Sequence, residues 1–352
     1  MNSGKLENSS ESAQCSDLAT IVVVPRERFS VAPESLQQVL SETPAGVRFV
    51  YVEGNPPAGV RSALHAIKDP RVEFIASPAY LSPNQARNIG FASVETKYVV
   101  FLDNDVWVEP QWLETLIECA EEEQADVVGP LYLQGSRDRP EVHMAGGDAH
   151  IELRDGKRVM RSSHRFQGKP LDDVLPQITR GPTEQIEFHG VVVRSDMLRQ
   201  LGGLDEGLLC TREHLDFCMS VREAGGSILL EPRSRLTYTR PPPFALSDLR
   251  YFSLRWSEDW SVRSLEHFFE KWDLDRGRLP NMMTWTKKQR YRFLEPWYSR
   301  TTRWLAKNVG EERVVKVLRY TLYPLEGALN RAANFALGGR QLRVKDARSD
   351  QA

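Results

Sequence analysis

Short apolar runs separated by amphipathic stretches recur along the first 240 residues. Thr20 to Val24, Val47 to Val52, Val72 to Ile75 and Tyr98 to Leu102 are near-continuous in apolar and aromatic side chains. Runs of this length and composition predict strands buried on both faces, as in a parallel sheet. Between them, Leu36 to Leu40, Val60 to Ile67 and the stretch opened by Ser82-Pro83-Asn84 have helical spacing. Strands alternating with helices predict a doubly wound, mostly parallel, Rossmann-like α/β sheet with right-handed crossovers.

The alternation continues with a helix over Gln111 to Glu123 and a strand over Ala125 to Leu133. From Gly135 to Arg180 it weakens. The pair Gly146-Gly147 and the turn Arg154-Asp155-Gly156 predict a hairpin and a mobile loop there. A strand over Ile186 to Arg194, containing His189, follows. Gly202-Gly203 ends a short helix. A second helix, capped by Thr211, runs from there to Arg222. Ile228 to Leu230, closed by Pro232, forms the last sheet element. Pro241-Pro242-Pro243 marks a boundary. The expected organisation is a disordered tail over 1–18, a sheet domain over 19–240 and a helical, Trp-rich, basic region over 241–352.

Composition changes this picture little. Hydrophobic residues make up 41% and charged residues 27%, the balance of a soluble globular chain. No stretch reaches the ~20 apolar residues that span a bilayer. The polar, Ser-rich first residues lack an apolar signal core. Cys15, Cys119, Cys210 and Cys218 lack metal-ligand spacing. A cytoplasmic, reduced protein is expected, at most peripheral at the cytoplasmic face of a membrane.

Charge does change it. From Asn281 onward there are 15 Lys and Arg against 6 Asp and Glu, although the chain as a whole carries −2. A basic end on an acidic body points to an anionic partner. Val314, Val315, Leu318 and Leu322, opposed by Arg313, Lys316 and Arg319, give a basic amphipathic helix. Such a helix lies on an anionic membrane surface or packs with a solvated face. Six tryptophans between Trp256 and Trp304 serve helix packing or stack on sugars or lipid interfaces. No nucleic-acid motif is present, so no nucleic-acid partner is expected.

Candidate chemistry sits at the strand ends, where open α/β sheets bind ligands. Tyr98 to Leu102 runs into Asp103-Asn104-Asp105. Two carboxylates one residue apart can share Mg²⁺ or Mn²⁺, which then takes substrate phosphates as further ligands. Alternatively they cap the helix that follows Pro110. Pro25 and Glu53 end the first two strands, on the same edge. Arg87, early in its helix, could reach a diphosphate or form a surface ion pair. Glu213 and Asp216 share a helix face. Either could act as a general base, or both could serve the helix dipole.

The order of these pieces resembles the family 2 glycosyltransferases of the GT-A fold, over roughly Ile21 to Tyr238. The resemblance rests on the opening strand with Pro25 and on Ala86-Arg87-Asn88-Ile89-Gly90. It rests also on Asp103-Asn104-Asp105, on Gly202-Gly203-Leu204-Asp205-Glu206, and on Glu213-His214-Leu215-Asp216 followed by Arg222. It implies inverting transfer of a sugar from a nucleotide-diphosphate donor, a UDP-sugar first, to the hydroxyl of a glycan, glycolipid or other acceptor. Asp103 and Asp105 would hold a divalent metal. Pro25, Glu53, Arg87, Asn88, Asp103 and Asn104 would bind the donor, and Glu213 or Asp216 would take the acceptor proton. The departures are Glu53-Gly54-Asn55 for the usual Asp-x-x-Ser, His214 for an acid, and Tyr238 for a metal-binding His. His143 and His189 are candidate replacements. Alternatives are a catalytically inactive nucleotide-sugar-binding module and a nucleotidyltransferase, for which Pro25-Arg26-Glu27-Arg28 has the charge but no glycine.

Overall fold

The computed structural model describes residues 15–136, 138–238, 245–291, 321, 324–332 and 334–335. Most of the expected N-terminal tail, the triple proline, Trp297, Trp304 and, apart from Thr321, the amphipathic stretch Arg313 to Leu322 lie outside the described residues.

The apolar runs become strands where their burial demands it. β1 (Ala19–Val24), β2 (Arg48–Val52), β3 (Val72–Ile75) and β4 (Tyr98–Asp103) pair in parallel, in the order β4-β1-β2-β3. Every residue of β1 and β4 is buried. The helices α1 (Ala32–Glu42), α2 (Ala58–Ala66) and α3 (Pro83–Phe91) connect these strands. Apolar layers form on both faces of the sheet, one around Phe49, Leu102 and Trp112 and the other around Val50, Phe101 and Val191. Ser82 starts α3 with a reciprocal capping box to Gln85. Gly90 lets α3 lie directly on the sheet, since a Cβ there would come within 2.3 Å of Val22.

Beyond β4 the sheet becomes mixed. β5 (Val106–Val108), α4 (Trp112–Glu122), β6 (Val127–Ser136) and β7 (Arg139–Met144) come next. The hairpin β8 (Gly147–Arg154) and β9 (Lys157–His164) forms a separate two-stranded sheet. A helical turn α5 (Leu171–Val174), the short β10 (Gly181–Pro182), β11 (Gly190–Arg194), α6 (Ser195–Gln200), α7 (Glu213–Glu223) and β12 (Ile228–Tyr238) complete the sheet domain. The full order is β10-β12-β6-β11-β4-β1-β2-β3, with β5 on β12 and β7 on β6. β11 runs antiparallel to both β4 and β6.

Several expectations change. Between 135 and 180 the expected hairpin forms, β8 and β9 joined at Arg154-Asp155-Gly156, but the chain also forms β7, which joins the main sheet on β6. His189 lies just ahead of β11, not within it. Pro232 does not end the last strand, because a bulge between Glu231 and Arg235 absorbs it and β12 continues to Tyr238. Thr211 does not cap α7, which starts after Arg212 in a left-handed conformation with no side-chain cap.

The helices α8 (Leu249–Arg255), α9 (Glu258–Lys271) and α10 (Leu279–Tyr291) follow the sheet. They fold back against it. Asp248 accepts hydrogen bonds from the backbone N–H of Phe29 and Ser30, each at 2.9 Å. Tyr251 Oη donates to the carbonyls of Pro25 and Leu81. Trp256, Trp260 and Trp272 are buried in this packing, whereas Trp285 is 46% exposed.

Candidate active site

The site is built on the tip of β4. Its main chain is tied to both neighbours, Asp103 N–H donating to the His189 carbonyl and Asn104 N–H to the Val24 carbonyl. β5 follows at once, so Asp103 and Asp105 do not cap a helix. Asp103 is buried, and both its oxygens are engaged. Oδ1 accepts from Arg87 Nη2 at 3.1 Å. Oδ2 lies 3.0 Å from His189 Nδ1 and 3.3 Å from Arg26 Nε. Burial pushes this carboxyl up, but His189, Arg26 and Arg87 outweigh it and hold it below the usual carboxylate range. Asn104 accepts from Arg26 N–H and donates to the Arg28 carbonyl, so it fixes the loop after β1.

Asp105 is wholly buried. Arg28 Nε pairs with its Oδ2 at 3.2 Å, whereas its Oδ1 has no hydrogen-bond partner. Burial raises its pKa, against the pull of Arg28 and Arg26. A buried carboxylate with one oxygen left unmet is an arrangement that a further cation resolves.

The surrounding guanidinium groups show the opposite deficiency. Arg26 Nη1, Arg87 Nε, and Arg255 Nε and Nη1 are buried donors without an acceptor. Arg87 is 2% exposed and stacks over Phe188, so it is not a surface ion pair. Unmet donors and an unmet carboxylate oxygen around one strand tip suit a ligand that brings an anion and a cation together.

Glu213 opens α7 and is ion-paired with Arg255, 3.1 Å away. Burial raises its carboxyl, but Arg255, His214 and Arg87 bring it below its ordinary range. Arg87 therefore couples electrostatically to both Asp103 and Glu213. Asp216 is engaged by the C-terminal helices. It accepts from Lys271 Nζ at 2.9 Å and from Trp272 Nε1 at 2.8 Å, both on the C-terminal side, and burial keeps its pKa raised. A cavity of about 250 Å³, lined by Asn84, Gly203, Asp205, Glu213, Asp216 and Lys271, opens between α3 and α7.

The remaining predicted residues divide. Pro25 sits on the same edge, its carbonyl held by Tyr251. Glu53 is buried at the tip of β2, but its oxygens meet Arg61 and His65 of α2. Asn88 does not turn toward the strand tips. Its amide donates to the Leu204 carbonyl and accepts from the Leu204 N–H, which pins the Gly202-Gly203 turn. Tyr238 Oη donates to Glu27.

Sequence reasoning missed Glu187 and Arg255. Glu187 is two residues before His189, and it lies between His143 and His189 at 3.0 and 2.7 Å. The only signal for it was the Glu-x-His spacing, and for Arg255 there was none.

The parallel half-sheet with its acidic tip, the antiparallel β11 and the covering α7 define a GT-A fold. A similar solved structure is GalNAc-T7 with UDP, GalNAc and Mn²⁺, at a TM-score of 0.50 and 14% identity, over 73% of this chain and 54% of that one. Residues 20–171 match the family model described as Glycosyl transferase family 2. The chain is 29% identical over 187 residues to the pre-mycofactocin glycosyltransferase of Mycobacterium tuberculosis, covering 53% of this chain and 36% of that protein. It is 28% identical over 108 residues to the succinoglycan biosynthesis protein ExoO of Rhizobium meliloti, covering 31% of each. The chain thus spans about a third of the length of the curated relatives it matches.

Proposed function

We propose that this chain transfers a sugar from a nucleotide-diphosphate donor to an acceptor hydroxyl with inversion, assisted by a divalent metal. The observation that carries the reading is the presence at one strand tip of unmet donors on Arg26, Arg87 and Arg255 together with the unmet Oδ1 of Asp105. A pyrophosphate with its metal supplies both missing partners at once. Asp105 fits the metal. Asp103, expected to share it, has both oxygens engaged and acts instead by holding Arg26, Arg87 and His189 in place. A bound Mn²⁺ or Mg²⁺ would supply Lewis-acid neutralisation of the leaving diphosphate.

Arg26 and Arg87 would orient the diphosphate by charge-assisted hydrogen bonds. Glu213 is the base this geometry favours, because it shares Arg87 with the donor edge while Asp216 is tied to α9. The acceptor oxygen forms a bond to the anomeric carbon as the bond from that carbon to the phosphate oxygen breaks. The proton passes to Glu213, and the bonding pair leaves with the nucleoside diphosphate. Asp216, held by Lys271 and Trp272, positions the start of α7.

The test is turnover of a panel of nucleotide sugars with Mn²⁺ by the wild type and by Asp105→Ala. Turnover of at least one donor, reduced roughly 100-fold or more in the variant, is expected from the loss of metal-based charge stabilisation. A wild type that binds sugar nucleotides without turning any over would instead identify an inactive binding module.

A further inference from the structure

A second cluster lies behind Asp103, on the antiparallel side of the sheet. His143 of β7, Glu187 and His189 bring one ligand atom each within 4.8 Å of one another. His164 and His214 form a second, more open trio with the same Glu187. His143 Nε2 lies 3.0 Å and His189 Nε2 2.7 Å from Glu187 Oε2. Two imidazole nitrogens are thus aimed at one carboxylate oxygen.

The tautomers follow from the other ring nitrogens. His189 Nδ1 lies 3.0 Å from Asp103 Oδ2, and His143 Nδ1 lies 3.3 Å from Gln134 Oε1. With both Nδ1 protons directed outward, two Nε2 lone pairs and a carboxylate converge on one point. Outer-shell acceptors on the far nitrogen are how metal-ligating histidines are fixed. His189 is 1% exposed, so its Nε2 meets Glu187 out of reach of bulk water. Separations of this size also suit the metal, since two ligands about 2.0–2.1 Å from a tetrahedral ion lie roughly 3.3 Å apart.

We propose that His143, Glu187 and His189 form a binding site for a zinc-class divalent cation, separate from the donor metal, with His164 and His214 flanking its open side. Two imidazoles and a carboxylate with an open position match zinc better than magnesium, which prefers oxygen ligands and retained waters. His214 adjoins Glu213, so the open side faces the start of the helix that carries the proposed base. Asp103 joins the two sites. It holds Arg87 on the donor side through one oxygen and His189 on the cation side through the other.

The experiment titrates the chelator-stripped full chain with Zn²⁺ against a chromophoric competitor, and with Co²⁺ by visible absorption. No nucleotide sugar is present, so the outcome is independent of the donor reading. One ion per chain is expected, with the intense Co²⁺ bands of a four- or five-coordinate site. His143→Gln and Glu187→Gln should weaken binding by more than the ~10–100-fold typical of an outer-shell change, and Gln134→Leu should fall within that range. Asp105→Asn should leave Zn²⁺ affinity unchanged. The proposal is overturned if the wild type takes up no Zn²⁺ or Co²⁺, or if Asp105→Asn abolishes uptake while His143→Gln leaves it intact. Should His143→Gln fail to fold by circular dichroism, Gln134→Leu and the wild-type Co²⁺ spectrum carry the decision.

Discussion

The two halves of the sheet place their polar groups differently. In β4-β1-β2-β3 the strands are almost wholly apolar inside, and the chemistry begins at their last residues, at Pro25, Glu53 and Asp103. In the other half, polar groups lie within the strands, as with Gln134 of β6, His143 of β7 and Glu231 of β12. The difference follows from strand direction. Parallel neighbours bring all their carboxyl ends to one edge, where a single ligand can meet them. An antiparallel neighbour brings its start to that edge instead. Because Gly190 pairs with Leu102, His189 arrives beside Asp103 from the opposite direction.

If the edge does the chemistry, its residues should control rate more than stability. Glu213→Gln should lower turnover of whichever donor is accepted by roughly 10²–10⁴-fold, the range for a lost general base. Asp216→Asn should cost less, and mainly in KM, because that side chain positions the helix. Steady-state kinetics of both variants checks this. A larger loss in kcat for Asp216→Asn would exchange the two roles.

The interior of the parallel half should control stability. Phe101 is fully buried between the sheet and its cover. Phe101→Ala should cost about 3–5 kcal/mol from lost burial and the cavity left behind. Ile151, in the hairpin, is only partly buried beside its cluster. Ile151→Ala should cost about 1 kcal/mol, since exposed methylenes have less transfer energy to lose. Urea unfolding of both variants makes the comparison, and equal losses would break it.

The same contrast explains what the sequence disclosed. Thr20 to Val24 and Tyr98 to Leu102 are apolar runs that stop abruptly, so the strand, its end and the acids there could be read together. Ala86 to Gly90 was legible because Ser82 and Pro83 announce a helix start and Gly90 permits close packing. Within 135 to 180 the hairpin is legible from its Arg154-Asp155-Gly156 turn, whereas β7 is not, because its place on β6 is set by pairing rather than by local pattern. Pro232 was read as a terminator, but the bulge lets β12 pass it. Glu187 gains its meaning only when the register of β11 puts it between two histidines.

A third way to sharpen the comparison is pH. Asp205, in the Gly202-Gly203 turn, accepts from His267 Nε2 and Lys271 Nζ, each at 2.9 to 3.0 Å. Burial raises its carboxyl, but His267 and Lys271 outweigh that and lower it. A depressed folded pKa means that protonation favours the unfolded chain. The stabilisation is therefore complete above the ordinary Asp value near ~4 and fades as pH falls through the lower folded value. Melting temperatures of wild type and Asp205→Asn should differ at neutral pH and converge in acid. A gap that stayed constant across that window would show that the pairing contributes nothing.

The smallest effect belongs to the outer edge of the parallel half. Arg48 at the start of β2 pairs with Glu73 of β3 at 2.5 Å, and both side chains are about half exposed, at 44% and 52%. Its guanidinium also donates to the Ser93 carbonyl. Water screens such a pair and competes for both partners, and ordering two long side chains opposes the gain. Arg48→Ala should therefore change unfolding free energy by under about 1 kcal/mol. The strand pairing beneath it comes from the main chain and from Phe49, Val50 and Val52, which remain buried. A loss comparable to that of Phe101→Ala would mean that the edge pair, rather than the apolar interior, holds β3 to the sheet.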